Sequence, residues 1–264
     1  MLFRSIFAIF IIILFSACAN TVKFEYEDPW ASNVGDTITI RGYLSRPEGE
    51  GPFPAVILLH GCGGIKTRSK IWASKLNEWG YVSLIVDSFG PRFISGTCGR
   101  GSMKAERAHD AQAAKTYLEK IPYVDSRYIG IMGFSAGANS AIYSIFDEHF
   151  DENEKPESQF AAAIAFYPFC IYHVKYMDAP LMVLIGEKDD WTPASRCKMI
   201  ERSGKSDHGR GKYEAKFVYY SNAHHSFDWP GINNTYMGHR QLYDAQATED
   251  ARKKVKKFLS KYLR

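Results

Sequence analysis

A serine between two glycines, at the end of an apolar stretch, is the strongest chemical signal in this 264-residue sequence. The segment Gly133-Phe134-Ser135-Ala136-Gly137 follows the apolar stretch 128–132 and precedes a run of good helix formers. A G-x-S-x-G pattern between a strand and a helix is typical of a sharp turn that exposes the serine hydroxyl as a nucleophile. We therefore predict that Ser135 attacks a carbonyl carbon.

A serine hydroxyl is a weak nucleophile unless a base removes its proton and a carboxylate orients that base. In sites of this type the acid and then the histidine follow the serine along the chain. The segment 186–193 carries carboxylates directly after the apolar stretch 181–185. His224 and His225 follow the last apolar stretch of the chain. Both groups therefore come at the carboxyl ends of predicted strands, where ligand sites of α/β proteins lie.

A third segment, His60-Gly61-Cys62-Gly63-Gly64, follows the apolar stretch 55–59. Its small residues allow backbone N–H groups to face the serine and to stabilise a developing oxyanion. We predict that the N–H groups of Cys62 and Ala136 form this oxyanion hole. We interpret His60 as a residue that braces the loop without contacting substrate.

Apolar stretches and helix-length segments alternate along the chain, and this order predicts how the reactive residues are brought together. Continuous apolar runs are typical of strands that are buried on both faces, as in parallel sheets. We predict an α/β fold, with an open, mostly parallel sheet and helices on both faces. The predicted strands are 36–44, 55–59, 81–86, 128–132, 160–166, 181–185 and 216–220, and the predicted helices are 69–79, 102–120, 136–150, 194–202 and 248–263.

The first residues are typical of an export signal, in which a basic start precedes a short apolar run. The run covers residues 6–15, whereas a membrane-spanning helix needs about 20 residues. The order Phe15-Ser16-Ala17-Cys18 resembles the lipobox of bacterial lipoproteins, in which the cysteine is acylated; plain signal cleavage is the alternative. From the resemblance to a lipobox we predict that the protein is exported to the cell envelope and contacts the membrane through the lipid on Cys18. The predicted organisation is a signal peptide over 1–17, a lipid anchor at Cys18, a tether over 18–35 and one domain over 36–264.

The composition excludes two other classes of protein. With 45% hydrophobic and 14% aromatic residues the chain can fill a large core and is not disordered. The formal net charge of +4 depends on the basic segment 252–264, so the rest of the chain offers no basic face to nucleic acid. We predict no nucleic-acid partner, and the sequence leaves the oligomeric state open.

Four cysteines besides Cys18 follow the predicted signal, and export to an oxidising compartment permits disulfide bonds between them. Each follows a different predicted strand, and elements that are consecutive in sequence are usually neighbours in space. We therefore predict that Cys62 pairs with Cys98 and that Cys170 pairs with Cys197. The wide spacing of the cysteines is not that of a metal site, and we predict neither a metal nor an organic cofactor.

Together these motifs resemble the dienelactone hydrolase family of α/β-hydrolases over residues 36–263. The matching features are the serine turn, the His60-Gly61 loop, the segment 186–193, His225-x-Phe227 and the segment 243–247. In that family the fourth position of G-x-x-D-x-x-x-P carries the acid, and the histidine of H-x-F carries the base. The resemblance therefore implies Asp189 as the acid and His225, not His224, as the base. The family archetype has a cysteine at the position of Ser135.

The resemblance implies an enzyme that cleaves an ester, lactone or thioester bond of a small molecule through an acyl-enzyme. A peptidase, a polysaccharide deacetylase and a lipid-anchored binding protein without turnover are alternatives, because the fold does not set the substrate. Arg92 follows the predicted strand 81–86, at the same sheet edge as Ser135. We expect its guanidinium to hold a substrate carboxylate, with a loop-capping surface residue as the alternative. Trp191 is expected to line the pocket.

Overall fold

An eight-stranded sheet organises the chain, which is seen in a computed structural model that describes residues 19–30, 32–33, 35–101, 103–146, 159–171, 177–206 and 213–264. The strands are β1 (Asn20–Glu27), β2 (Thr37–Ser45), β3 (Phe53–Leu59), β4 (Val82–Asp87), β5 (Val124–Phe134), β6 (Ala163–Phe166), β7 (Leu181–Gly186) and β8 (Ala215–Tyr220). Their order is β1-β2-β4-β3-β5-β6-β7-β8, with antiparallel pairing at β1–β2 and β2–β4 and parallel pairing elsewhere. The open, mostly parallel α/β sheet predicted from the sequence is confirmed.

The central strands owe their position to their uninterrupted apolar sequences. All residues of β4, β6 and β7 are buried, as are the last five residues of β3. A strand that is covered on both faces has no need for polar residues at alternate positions, which explains why these segments read as continuous runs. The buried strands form the main part of a single hydrophobic core.

The helices in the described ranges are α1 (Thr67–Glu78), α2 (Lys104–Glu119), α3 (Ala136–Tyr143), α4 (Ala194–Ser206) and α5 (Ala245–Tyr262). The last of these shows how the sequence defines its ends and its buried face. Asp244 caps α5 by accepting a hydrogen bond from the N–H of Ala247 at 2.9 Å. Ala251, Val255 and Phe258 are buried three or four positions apart, as in an amphipathic helix that packs on a core.

Two segments differ from the sequence-based prediction. Residues 20–27 lie within the predicted tether but form β1, which pairs with β2 along its whole length, so that part of the tether prediction is wrong. A hairpin of β9 (Asn233–Tyr236) and β10 (His239–Leu242) was not predicted. The predicted signal peptide and Cys18 lie outside the described residues. Within those residues, no helix has both the length and the apolar character needed to cross a membrane.

The sheet brings four strand ends to one edge. His60 follows β3, Ser135 follows β5, Asp189 comes shortly after β7 and His225 after β8. Because β3 and β5 are parallel neighbours, and β7 and β8 are too, their carboxyl ends meet at the same edge of the sheet. The fold therefore places the predicted reactive segments together.

Candidate active site

The turn that carries Ser135 is strained in the way a nucleophile turn requires. Ser135 has φ 53° and ψ −117° and lies directly between β5 and α3. A β-carbon at position 133 would lie 2.1 Å from the carbonyl oxygen of Gly137, and one at position 137 would lie 2.4 Å from the carbonyl oxygen of His60. Only glycine fits at either position. The two glycines of the motif therefore allow the tight turn that exposes the serine side chain.

Three side chains form a continuous hydrogen-bonded series at this edge. The Nε2 atom of His225 lies 3.1 Å from the Oγ atom of Ser135. The Nδ1 atom of the same ring lies 2.8 Å from Oδ2 of Asp189, whose side chain is fully buried. A neutral imidazole that donates from Nδ1 to a carboxylate presents an unprotonated Nε2 to the serine. This arrangement can deprotonate the Ser135 hydroxyl.

The loop after β7 holds the Asp189 carboxylate in place. Its Oδ1 atom accepts hydrogen bonds from the N–H groups of Trp191 at 3.0 Å and Thr192 at 2.8 Å. Its Oδ2 atom accepts a further bond from the Thr192 hydroxyl at 2.9 Å, besides facing His225. Asp190 turns the other way, with a 52% exposed side chain that accepts from the N–H of Arg240. Of the two adjacent aspartates, only Asp189 therefore contacts His225.

Two aromatic rings fix the plane of the His225 imidazole. The centroid of the Tyr167 ring lies 4.6 Å from that of His225, and the centroid of Trp191 lies 5.1 Å away. Tyr167 is itself anchored, because its hydroxyl donates to Asp228 at 2.7 Å. Burial raises the pKa of Tyr167 well above its usual value, so this hydroxyl keeps its proton. These contacts therefore restrict the orientation of the His225 ring.

The loop after β3 is held so that the N–H of Cys62 has a defined direction. The carbonyl oxygen of Gly61 accepts hydrogen bonds from Nδ1 of His60 at 2.8 Å and from the N–H of Gly64 at 3.2 Å. In a trans peptide the N–H points opposite to the C=O, so the Cys62 N–H points away from these two donors. This arrangement agrees with the bracing role predicted for His60.

A buried arginine supports the same loop from α2. Burial, and then the nearby Arg107 charge, lower the pKa of His60 to about 3, so its ring is neutral. Because Nδ1 faces the carbonyl oxygen of Gly61, which can only accept, the single ring proton is on Nδ1. Arg107 is fully buried and donates from Nη2 to the carbonyl oxygen of His60. Two hydrogen bonds therefore hold this loop: one from the His60 ring to the Gly61 carbonyl, and one from Arg107 to the His60 carbonyl.

Both predicted disulfide bonds are present. Cys62 is bonded to Cys98 and Cys170 to Cys197, with Cα–Cα distances of 4.9 Å and 5.0 Å. The pairing follows the sheet, because β3 and β4 are neighbours and β6 and β7 are neighbours. The bridge at Cys62 lies in the wall of the cavity next to Ser135. It connects the loop after β3 to the loop after β4.

The Cys98→Ser variant should lower kcat for ester hydrolysis by about 10- to 100-fold, because the freed loop no longer fixes the predicted oxyanion donor at Cys62. Cys197→Ser is the matched control, since it removes the other bridge, which does not line the cavity. Loss of either disulfide bond should lower the free energy of unfolding by about 2–4 kcal/mol. Steady-state kinetics and chemical denaturation of both variants test this, and equal kcat values for the two would contradict it.

A cavity of about 560 Å³ opens onto Ser135 and His225. Trp191 lies in its wall, at the position expected from the sequence. The β9–β10 hairpin forms another part of the wall and contacts the loops after β7 and β8. The ring of His239 stacks on Trp191 at 4.9 Å, and Gln241 forms a β-bridge with His225. The lining combines apolar residues, Trp191, Trp229, Ile232, Tyr236 and Met237, with the basic residues Lys66, Arg68 and Arg100.

The expected role of Arg92 in binding a substrate carboxylate is wrong. Its Nη1 and Nη2 atoms donate to the two oxygens of Asp110 at 3.0 Å and 2.9 Å, and further bonds go to the Tyr26 hydroxyl and the Ser88 carbonyl. The side chain is 12% exposed and does not line the cavity. The Arg92 guanidinium is therefore already paired with the Asp110 carboxylate. Its hydrogen bonds connect α2, β1 and the loop after β4.

Sequence reasoning missed three residues around this site. Thr192 lies inside the segment 186–193, where its proximity to the acid was a usable signal. Tyr167 and Arg68 carry no motif, and only the folded chain brings them to the site. Within the described ranges, His, Cys, Asp and Glu side chains form no group of three or more that could hold a metal ion.

The parallel sheet, the strained serine turn after β5 and the order of serine, acid and histidine define an α/β-hydrolase. The chain belongs to the dienelactone hydrolase family, whose model matches residues 40–263.

The individual known proteins described next are 18% to 29% identical to this chain. A Bradyrhizobium protein named "Probable 2-oxo-3-(5-oxofuran-2-ylidene)propanoate lactonase" is 25% identical over 207 residues, which cover 70% of this chain and 77% of the relative. Esterase FrsA of Klebsiella pneumoniae is 29% identical over 104 residues, which cover 39% of this chain and only 24% of that longer protein. The crystal structure of dienelactone hydrolase from Anabaena variabilis superposes with a TM-score of 0.64 at 18% identity, covering 92% of this chain and 99% of the other. That last likeness shows the shared fold.

Proposed function

We propose that the protein is a serine hydrolase that cleaves an ester, lactone or thioester bond of a small molecule through an acyl-enzyme. The observation that carries the proposal is the hydrogen-bonded series from Asp189 through His225 to the Ser135 hydroxyl. Membership of the dienelactone hydrolase family supports it, as do the names of two relatives, one a lactonase and the other an esterase.

In the first half-reaction, His225 Nε2 accepts the Ser135 proton while Oγ attacks the substrate carbonyl carbon. Asp189 stabilises the imidazolium that forms and keeps its orientation. The carbonyl oxygen becomes an oxyanion, which accepts hydrogen bonds from the N–H groups of Cys62 and Ala136. His225 then returns the proton to the leaving oxygen or sulfur, and the acyl group stays on Ser135.

In the second half-reaction, a water molecule takes the position of the leaving group. His225 removes a proton from it, and the resulting hydroxide attacks the acyl carbon. The same two N–H groups stabilise the second tetrahedral intermediate. Collapse of this intermediate breaks the bond to Ser135 Oγ, which regains its proton from His225. We assign no cofactor to the reaction.

Labelling with a fluorophosphonate probe tests the nucleophile directly. An activated serine attacks the probe's phosphorus, so the label should appear on the peptide that contains Ser135, as located by mass spectrometry. A series of p-nitrophenyl esters of graded chain length, assayed beside lactones and a peptide substrate, then defines the bond that is cleaved. Absence of both labelling and turnover would contradict the proposal and favour a binding protein.

We also propose that the chain is exported and attached to the membrane through an acylated Cys18, as the order Phe15-Ser16-Ala17-Cys18 indicates. The two disulfide bonds support an oxidising compartment. A Cys18→Ala variant should move from the membrane fraction to the soluble envelope fraction, as followed by immunoblotting after cell fractionation. An unchanged membrane fraction would argue against the lipid anchor.

A further inference from the structure

The chain enters the sheet near the edge that is opposite to the active site. β1 starts at Asn20, which pairs with Leu44 of β2, and Leu44 pairs with Leu84, the third of the six residues of β4. Because β1 and β4 are both antiparallel to β2, they run in the same direction. Ala19, which precedes Asn20, therefore lies toward the amino-terminal edge of the sheet, where the parallel strands begin. Ser135 instead follows the carboxyl end of β5.

A surface groove gives a second indication of where Ala19 lies. Ala19 is in the wall of this groove together with Phe53, Glu78 and Gly80. Phe53 is the first residue of β3, Glu78 is the last residue of α1, and Gly80 lies two residues before β4. Within the described residues, the groove shares no lining residue with the cavity at Ser135. Both observations therefore place the start of β1 at the amino-terminal edge.

The proposed lipid anchor is tied closely to this edge. Only Ala19 separates Cys18 from Asn20 in the sequence. Two residues of fully extended backbone span about 7 Å, whereas a parallel strand of six residues is about 20 Å long. To invert the domain on the membrane, the tether would have to span the length of the strands. It is too short to do so.

Helix α5 crosses the sheet from one edge to the other. It starts beside the loop of the catalytic histidine, where the N–H of Asp244 donates to the carbonyl oxygen of Phe227 at 2.9 Å. It ends near the amino-terminal edge, because Leu263 lies 3.0 Å from the point that a β-carbon at position 130 would occupy. Through β3, the strand register aligns Gly130 with the second residue of β4. The end of α5 therefore lies at the level of the sheet at which β1 begins.

The end of α5 is basic. Four exposed cations lie on its last two turns or just after them: Lys256, Lys257, Lys261 and Arg264. None of them forms an ion pair with a carboxylate of the described residues, whereas the cations one turn earlier do. Lys256 Nζ lies 5.9 Å from the ring centroid of Trp79, the residue that precedes Gly80 of the groove. The basic end of α5 and the start of β1 therefore lie beside the same end of α1.

Charge alone does not select this surface. The cavity at the opposite edge is also lined by basic residues, Lys66, Arg68 and Arg100. The loop before β3 adds two exposed acids, Glu48 and Glu50, to the amino-terminal edge. The position at which the chain enters the sheet therefore selects the edge, and the basic end of α5 supplies charge complementarity to anionic lipid at that edge.

We propose that the amino-terminal edge of the sheet and the basic end of α5 lie on the anionic lipid headgroups of the membrane that holds Cys18. The cavity at Ser135 then opens away from the bilayer. The substrate is a soluble ester that arrives from the aqueous compartment, and not an ester bond of the bilayer lipids. This inference rests on the proposed acylation of Cys18 and, for the substrate, on the proposed hydrolase activity.

Energy transfer to acceptor-labelled lipid measures the height of a chosen residue above the bilayer. The acylated protein, in vesicles of phosphatidylglycerol and phosphatidylethanolamine, carries a donor dye on either Asn234→Cys or Lys261→Cys. Asn234 is exposed in the cavity wall, and Lys261 is exposed at the end of α5. The donor at position 234 should lie about 20 Å farther from the bilayer, because the length of the strands separates the two edges. Equal heights, or the reverse order, would overturn the proposal.

Vesicle binding without the lipid tests the contact of α5. The Cys18→Ala protein is sedimented with the same vesicles at low ionic strength. Adding Lys257→Gln and Lys261→Gln should lower its partition coefficient about 10-fold. Lys66→Gln with Lys188→Gln is the matched control, because it removes the same charge from exposed positions at the active-site edge. This control should bind within about twofold of the Cys18→Ala protein. Equal partition coefficients for all three proteins, or a larger loss in the control, would overturn the contact.

The substrate test compares a soluble ester with an ester held in the bilayer. The acylated protein in vesicles should hydrolyse p-nitrophenyl butyrate within about twofold of the rate of the Cys18→Ala protein. It should not hydrolyse a phosphatidylglycerol with a fluorogenic acyl chain in the same vesicles. Rapid hydrolysis of that lipid would overturn the proposal. Absence of turnover on both esters would instead contradict the hydrolase function, and the measured heights would still decide the orientation.

Discussion

Replacement of Ser135 by alanine should lower kcat for ester hydrolysis by about 10⁵- to 10⁶-fold, as removal of the nucleophile does in serine hydrolases. The variant loses one oxygen atom and keeps the backbone of the turn, because the close approach of Gly133 and Gly137 to their neighbours defines the conformation. We therefore expect an unchanged thermal unfolding curve together with the loss of activity. Initial rates with p-nitrophenyl butyrate, and circular dichroism on the same samples, measure both effects.

The two adjacent histidines provide the control for this experiment. His225→Ala should be about as severe as Ser135→Ala, and the double variant should be little worse than either, because the two residues act as one unit. His224→Ala should retain most activity, since it is the ring of His225 that lies 3.1 Å from Ser135 Oγ. A severe effect of His224→Ala with a mild effect of His225→Ala would reassign the base. Near-parental activity in Ser135→Ala would exclude the proposed mechanism altogether.

The sequence predicted which residues meet at one edge of the sheet, because its signals are local. A glycine-flanked serine, a carboxylate segment and a histidine pair each follow an apolar run, and parallel strands bring such segments to one edge. The pairing of Cys62 with Cys98 followed from the same reasoning, since β3 and β4 are consecutive in the chain and adjacent in the sheet. Strand identity and order alone were sufficient for these predictions.

The wrong prediction for Arg92 shows where that reasoning stops. Its position after β4 was identified correctly, but its partner Asp110 lies in the middle of α2 and a second partner, Tyr26, lies on β1. Which side chain satisfies a given guanidinium depends on the three-dimensional packing of distant elements. The same limit explains why Arg68, whose contacts include Ser226 far along the chain, carried no sequence signal.

The missed strands have physical explanations of different kinds. Every residue of β9 is exposed, so the hairpin that forms part of the cavity wall has no apolar alternation to detect. In β1 the alternation does exist, because Val22, Phe24 and Tyr26 face the core side between polar neighbours. A strand at the edge of a sheet has only a few such residues. The predicted export signal before it also favoured a tether over a strand.

Asp189→Asn should lower kcat by about 10⁴-fold through the tautomer of His225, the size of effect known for the equivalent change in serine proteases. The side-chain oxygen of asparagine must take the place of Oδ1, because that position accepts hydrogen bonds from the N–H groups of Trp191 and Thr192. Its NH₂ group then replaces Oδ2 and donates to Nδ1 of His225. The imidazole must carry its proton on Nε2, where it cannot accept the proton of Ser135.

Asp190→Asn is the matched control, with the same chemical change one residue away. The Asp190 carboxylate contacts the N–H of Arg240 and the ring of His239, and so holds the β9–β10 hairpin rather than His225. Its loss should raise KM several-fold through the loosened cavity wall and leave kcat within about threefold of the parent, because an exposed pair contributes little. Steady-state kinetics on p-nitrophenyl butyrate separate the two variants. Equal losses of kcat would mean that the carboxylate hydrogen-bonded to His225 Nδ1 is not what orients the base, and the assignment of Asp189 would have to be withdrawn.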